Sequence, residues 1–199
     1  VESHDGLLLS PGDTEGLEES PYVFYLGGVP SQRIDPALRY VVDKLAYKRF
    51  FLLGNNALYS RALNALLNDD LKDLGGKVVG ERLISRGALD FGGVLKKIAA
   101  AEPELVISTL RGDANVDFFR AWQQRDKRLR ELRVLSLSLD ENTLTLLDGV
   151  DLSQNYVASS YFQALPRPEN TAFIERFRKK YGSHHVISES MEAAYASVY

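Results

Sequence analysis

Short apolar runs alternate with longer amphipathic stretches along most of this chain. FFLLG (50–54), VVGERLI (78–84), ELVISTL (104–110), RVLSLSL (133–139) and NYVASSYF (155–162) each read as a strand. The stretches between them carry apolar residues at a period near 3.6 and read as helices. In SRALNALLNDDLKDLGG (60–76), Leu63, Leu66, Leu67, Leu71 and Leu74 make one face, and Gly75 and Gly76 stop the helix. RIDPALRYVVDKLAY (33–47) predicts another helix, with Pro36 in its first turn, where no amide proton is needed. Asp90 is placed to cap FGGVLKKIAAAE, and helices over ANVDFFRAWQQRD and ENTLTLLDG follow the next two strands. One crossover helix fits between most neighbouring strands. That predicts an α/β fold, a three-layer parallel sheet with helices on both faces.

Two flanking regions depart from this rhythm. Before it, LLLSP (7–11) and YVFYLGG (22–28) are short strands joined by an acidic, Gly-containing loop. After it, a Pro-rich turn leads to a helix with Phe173, Phe177 and Tyr181 on one face. SESMEAAYASVY is a further helix in which Met191, Ala194, Tyr195 and Val198 form an apolar stripe suited to core packing. The chain starts at Val1 and stops at Tyr199 inside an apparent helix, so it reads as a piece of a longer protein.

Composition narrows the chemistry. A net charge of -3 and the lack of a dense basic tract argue against nucleic acid as a partner. The cluster RDKRLRELR reads as a solvated helix end. With no Cys, disulfides, Cys-ligated metals and thiol nucleophiles are excluded. No run suggests direct membrane insertion. His4, His184 and His185 lie outside any metal motif, and neither a phosphate loop nor a nucleophile elbow is present, so no cofactor and no enzymatic activity are expected.

In an open α/β sheet, ligands bind at the carboxyl ends of the strands. Three loops there carry polar side chains before a helix: NNALYSR (Asn55, Asn56, Tyr59), RGDAN (Arg111, Asp113) and DENT (Asp140). Asp113 is open to two readings, a helix cap or an acceptor for a ligand amide. Tyr59 either covers a ligand or packs at the helix start. Asn55 and Asn56 either bind or shape the turn, and Arg111 either meets a carboxylate or is solvated. Asp113 and Asp140 could form an acid–base pair only if they were close. The Arg111-Gly112-Asp113 tripeptide reads as a crevice turn rather than an adhesion tip.

The segments EGLEESPYVFYLGGVPSQRIDPAL, FFLLGNNALYSRALN, LKDLGGKVVGERLI, LVISTLRGDANVDFF, YFQALPRPENTAFIERFRKKYG and MEAAYASVY, in this order, resemble type 1 periplasmic solute-binding proteins. The resemblance is to the branch near urea, short-chain amide and branched-chain amino acid receptors. It implies 1–31 as part of an amino-terminal lobe, 32–161 as the carboxyl-side ligand lobe, and 162–199 as a truncated return to the first lobe. It implies an extracytoplasmic, periplasmic component of an ABC transporter that presents a small polar solute to a membrane permease. A ligand-sensing domain of a signalling or transcription-regulating protein is the alternative. Asp113 matches the family's acidic ligand contact and Tyr59 one of its aromatic contacts. Ala57 and Thr14 stand where aromatics are usual, and Arg111 where an uncharged polar residue is more common.

Overall fold

The computed structural model describes residues 1–14, 19–85, 87 and 91–198. Its centre is a five-stranded, all-parallel sheet of β3 (Arg49–Asn55), β4 (Lys77–Ile84), β5 (Leu105–Thr109), β6 (Arg133–Ser136) and β7 (Tyr156–Val157), in spatial order β4-β3-β5-β6-β7. Two parallel strands, β1 (Leu8–Ser10) and β2 (Val23–Tyr25), form a separate small sheet.

Alternation along the buried strands divides the core into two layers. Phe50 and Leu52 of β3, with Leu105 and Ile107 of β5, face α1 (Pro30–Arg39) and α2 (Leu58–Asp73). Phe51 and Leu53, with Val106 and Val134, face α3 (Phe91–Ala101) and α4 (Asp113–Gln123). Phe118, Phe119 and Trp122 fill the second layer with tilted ring contacts. This is the expected three-layer α/β fold.

Several local expectations need correction. α1 begins at Pro30, so Pro36 lies in its interior rather than its first turn. Pro30 already takes the start position that suits a missing amide proton. Beyond α1 the chain widens into a π turn over Tyr40–Lys44, in which the Leu45 amide bonds the Tyr40 carbonyl at 3.1 Å. The two glycines after α2 behave as expected: Gly75 has φ 75°, its amide bonds the Lys72 carbonyl, and that of Gly76 bonds Leu71.

The later elements are shorter than their apolar runs. β6 ends at Ser136, yet the Leu137 amide still bonds the Ser108 carbonyl of β5 at 2.9 Å, and both Leu137 and Leu139 are buried. β7 pairs only Tyr156 and Val157, and α5 (Glu141–Leu144) is a single turn. The proposed cap Asp90 lies outside the described residues.

α6 (Pro168–Tyr181) and α7 (Glu189–Ala196) pack through Phe173, 4.5 Å from the Tyr195 ring centre. The expected α7 stripe is not a core face: Met191, Tyr195 and Val198 are exposed, and Ala193 is the buried residue. In the basic cluster Lys127, Arg128 and Arg130 are exposed, as expected, but Arg125 is tied down. Arg125 donates to the carbonyls of Trp122, Leu129 and Arg130 and stacks on Trp122. No helix among the described residues is long and apolar enough to cross a membrane.

Candidate functional site

The strand order reverses at β3, whose neighbours are β4 on one side and β5 on the other. The carboxyl ends of β3 and β5 therefore form the switch point where an α/β sheet leaves a crevice. A buried polar network closes its floor. The Ser60 hydroxyl donates to the Thr109 carbonyl at 2.9 Å, and the Asn55 amide donates to Ser60 Oγ at 3.1 Å. The Thr109 hydroxyl donates to Asn64 Oδ1 at 2.9 Å, and Asn64 Nδ2 donates to Glu81. Gly54 is needed here, because a Cβ would lie 2.7 Å from that of Ser60.

Three of the expected site residues meet at this point. Asn55 Oδ1 accepts the Arg111 amide at 2.7 Å and so bridges the two strand ends. The Arg111 guanidinium lies 3.8 Å above the Tyr59 ring. Tyr59, in the first turn of α2, accepts a hydrogen bond from Arg33 Nη2 at 3.2 Å. Burial raises the Tyr59 phenol above its ordinary value, against the opposing pull of Arg33 and Arg111.

The others have separate places. Asp113 is not the cap of α4: Gly112 is, with φ 61° and ψ -145°, a backbone form that L side chains avoid. Asp113 is thus shifted into the first turn, exposed at the positive end of the helix. Asp140 caps α5, its Oδ1 accepting the Thr143 amide at 2.7 Å and the Thr143 hydroxyl at 2.6 Å. Asn56 is exposed and accepts from Arg61 Nε at 2.9 Å.

Sequence reasoning missed the ionic chain that runs from this crevice toward the small sheet. Asp13 Oδ2 lies 2.9 Å from Arg33 Nη1 and 3.1 Å from Arg111 Nη2. Arg33 Nη1 also lies 3.5 Å from Glu189 Oε2. Glu189 in turn accepts the Ser159 hydroxyl at 2.8 Å and the Ser160 amide at 3.0 Å. Burial opposes the charge on Arg33, but Asp13, Tyr59 and Glu189 outweigh it and hold the guanidinium above its ordinary range. Burial likewise opposes the charge on Glu189, and the bonds from Ser160 and Ser159, with Arg33, bring its carboxyl below the ordinary value. One sequence signal pointed here: Arg33 falls in line with Ala37 and Val41 on the packed stripe that runs from α1 into the π turn, where a charge needs a partner.

Among the described residues no group of three His, Asp or Glu side chains could hold a metal ion. The assembled groups can do something else. They bring two guanidinium groups, a carboxylate shared between both and a tyrosine ring together at the strand tips.

Residues 1–199 match the family described as the Periplasmic binding protein domain, and the chain belongs to that family. The fold is that of the type 1 periplasmic-binding-protein lobe. A solute-binding protein of an R. palustris ABC transporter, solved in complex with 4-hydroxybenzoate, superposes with a TM-score of 0.85 at 17% identity. The match covers 100% of this chain and 55% of that one. A branched-chain amino acid ABC transporter periplasmic ligand-binding protein from Burkholderia xenovorans LB400 gives 0.80 at 20% identity, covering 100% and 53%. This chain thus spans about half the length of these solved structures. A limonene hydroxylase from Geobacillus stearothermophilus is 43% identical over 44 residues, 22% of this chain and 8% of that protein, which is too short a stretch to carry an activity.

Proposed function

We propose that this chain forms the solute-gripping part of an extracytoplasmic, non-enzymatic component of an ABC transporter. Its solute is small and polar, such as urea, a short amide or an amino acid, and its partner is a membrane permease. The carrying observation is the meeting of Asn55, Tyr59 and Arg111 at the switch point, faced by Asp13 from the loop after β1. Asp113, in the first turn of α4 two residues past Arg111, adds an exposed carboxylate that can accept amide protons.

The lobe boundaries follow from the same reading. On it, residues 1–31, which carry the small sheet, belong to the first lobe, 32–161, which carry the large sheet, to the ligand lobe, and 162–199, where Glu189 pairs with Arg33, to the return segment. Gly28 supports this course, because a Cβ there would lie 2.6 Å from Ser160 Oγ, so the outgoing and returning passages run side by side. Closure of two lobes over a solute shifts population toward the closed form by the preference of the solute for it.

The experiment is a thermal-shift and calorimetric panel of urea, amides and amino acids on the full-length protein. One solute raising the melting temperature with 1:1 stoichiometry supports the reading. A folded protein that binds none of them overturns it.

A further inference from the structure

We propose that Asp13 is a built-in counter-ion that makes this site select solutes without net negative charge, an inference that rests on the solute-capture reading above. Two arginines converging beside an aromatic ring would alone suit a carboxylate ligand, since guanidinium groups pair with carboxylates through charge-assisted hydrogen bonds. Here that position is already filled. Asp13 Oδ2 is shared between Arg33 at 2.9 Å and Arg111 at 3.1 Å, and the chain of contacts ends at Glu189, 3.5 Å from Arg33. Two cations and two carboxylates cancel.

Burial makes the balance firm. The side chains of Arg33, Asp13 and Glu189 are 5%, 11% and 16% exposed, whereas that of Arg111 is 45% exposed. A buried pair that loses one member leaves an uncompensated charge, so Asp13 is held in place. It is also tethered, and an anion arriving from solution must compete with a carboxylate already beside its target. A neutral amide faces no such rival. Its carbonyl can accept from the exposed part of Arg111, and its N–H groups can donate to the exposed Asp113. Asp13 was not among the residues singled out by the sequence, because its partners lie far along the chain.

The test uses isosteric pairs that differ in charge: acetamide with acetate, and 4-hydroxybenzamide with 4-hydroxybenzoate. Affinities are measured by calorimetry on the full-length protein at neutral pH. The wild type should prefer the amide in at least one pair by tenfold or more. Asp13→Asn should reduce that preference at least tenfold, and Asp13→Glu should keep it. Wild-type preference for the acids, or an unchanged preference in a folded Asp13→Asn protein, overturns the role of Asp13 and leaves solute capture standing. A folded wild type that binds none of these probes and none of the wider panel overturns both. Should Asp13→Asn fail to fold, Arg111→Gln replaces it. With one cation fewer beside Asp13, the preference for the amide must rise, and a fall overturns the inference.

Discussion

The guanidinium of Arg111 lies 3.8 Å above the Tyr59 ring, while the hydroxyl of the same tyrosine accepts from Arg33 at 3.2 Å. One side chain thus holds both cations, by its face and by its edge. Tyr59→Phe should keep the stacking but leave a buried Arg33 donor unpaired, which lowers stability by about 1–3 kcal/mol. Urea denaturation measures this. Tyr59→Ala should lose both contacts and weaken solute binding at least tenfold more than Tyr59→Phe does.

Asp113 should behave in the opposite way. It is exposed in the first turn of α4, and no hydrogen bond or ion pair to another described residue holds it. Asp113→Ala should therefore change stability by less than about 1 kcal/mol, mostly through the helix dipole. Solute affinity should fall more than tenfold, or over ~1.4 kcal/mol. Calorimetry of the full-length variant that shows unaltered affinity would remove Asp113 from the site.

Glu189 gives the fold a pH dependence. Its carboxyl lies below the ordinary value of 4.5, since the bonds from Ser160 and Ser159 and the charge of Arg33 outweigh burial. Its stabilisation is complete above the unfolded value and is lost as pH falls through the lower folded one. Melting temperature should drop on acidification below about pH 4.5, the ordinary value, and the drop should be shallower in Glu189→Gln.

Asp70 works in the other direction. Burial, then Asp35, Asp73 and Asp69, raise its carboxyl above the ordinary 3.8, and its Oδ2 is buried without a partner. Its ionisation costs stability once pH rises past the unfolded value, fully so above the folded one. Asp70→Asn should raise the melting temperature at pH 7, and the gain should vanish in acid.

Gly54 tests the switch point itself. A methyl group there meets the Thr109 hydroxyl and the Ser60 side chain inside the buried network. Gly54→Ala should cost about 1–3 kcal/mol by overpacking. Denaturant midpoints measured beside a Gly75→Ala control, where the cost comes from φ 75° with open space around it, separate crowding from backbone strain.

The central strands β3 and β5 were legible because they are buried on both faces and so appear as unbroken apolar runs. Phe50 to Leu53 and Leu105 to Ile107 are all buried, and both runs sit in the expected strands. The same signal ran on past β6 through Leu137, whose amide still bonds Ser108, to Leu139, since burial extends beyond the assigned strand. At the site, Asn55, Tyr59 and Arg111 were within reach because they follow the tips of β3 and β5, which lie side by side in the sheet. Asp140 and Asn56 had the right position but are occupied by their own helix starts, a choice decided by neighbours one turn away. The Asp13–Arg33–Glu189 chain was not legible. Its members come together only through tertiary folding, and charge alone does not name a distant partner.

Arg33 gathers side chains from residues 13, 59 and 189 around one guanidinium. The stability of the first stretch is thereby coupled to that of the last. A protease cut in the turn between α6 and α7 should therefore be felt at once around β1, which would lose its protection against hydrogen exchange together with the far end of the polypeptide.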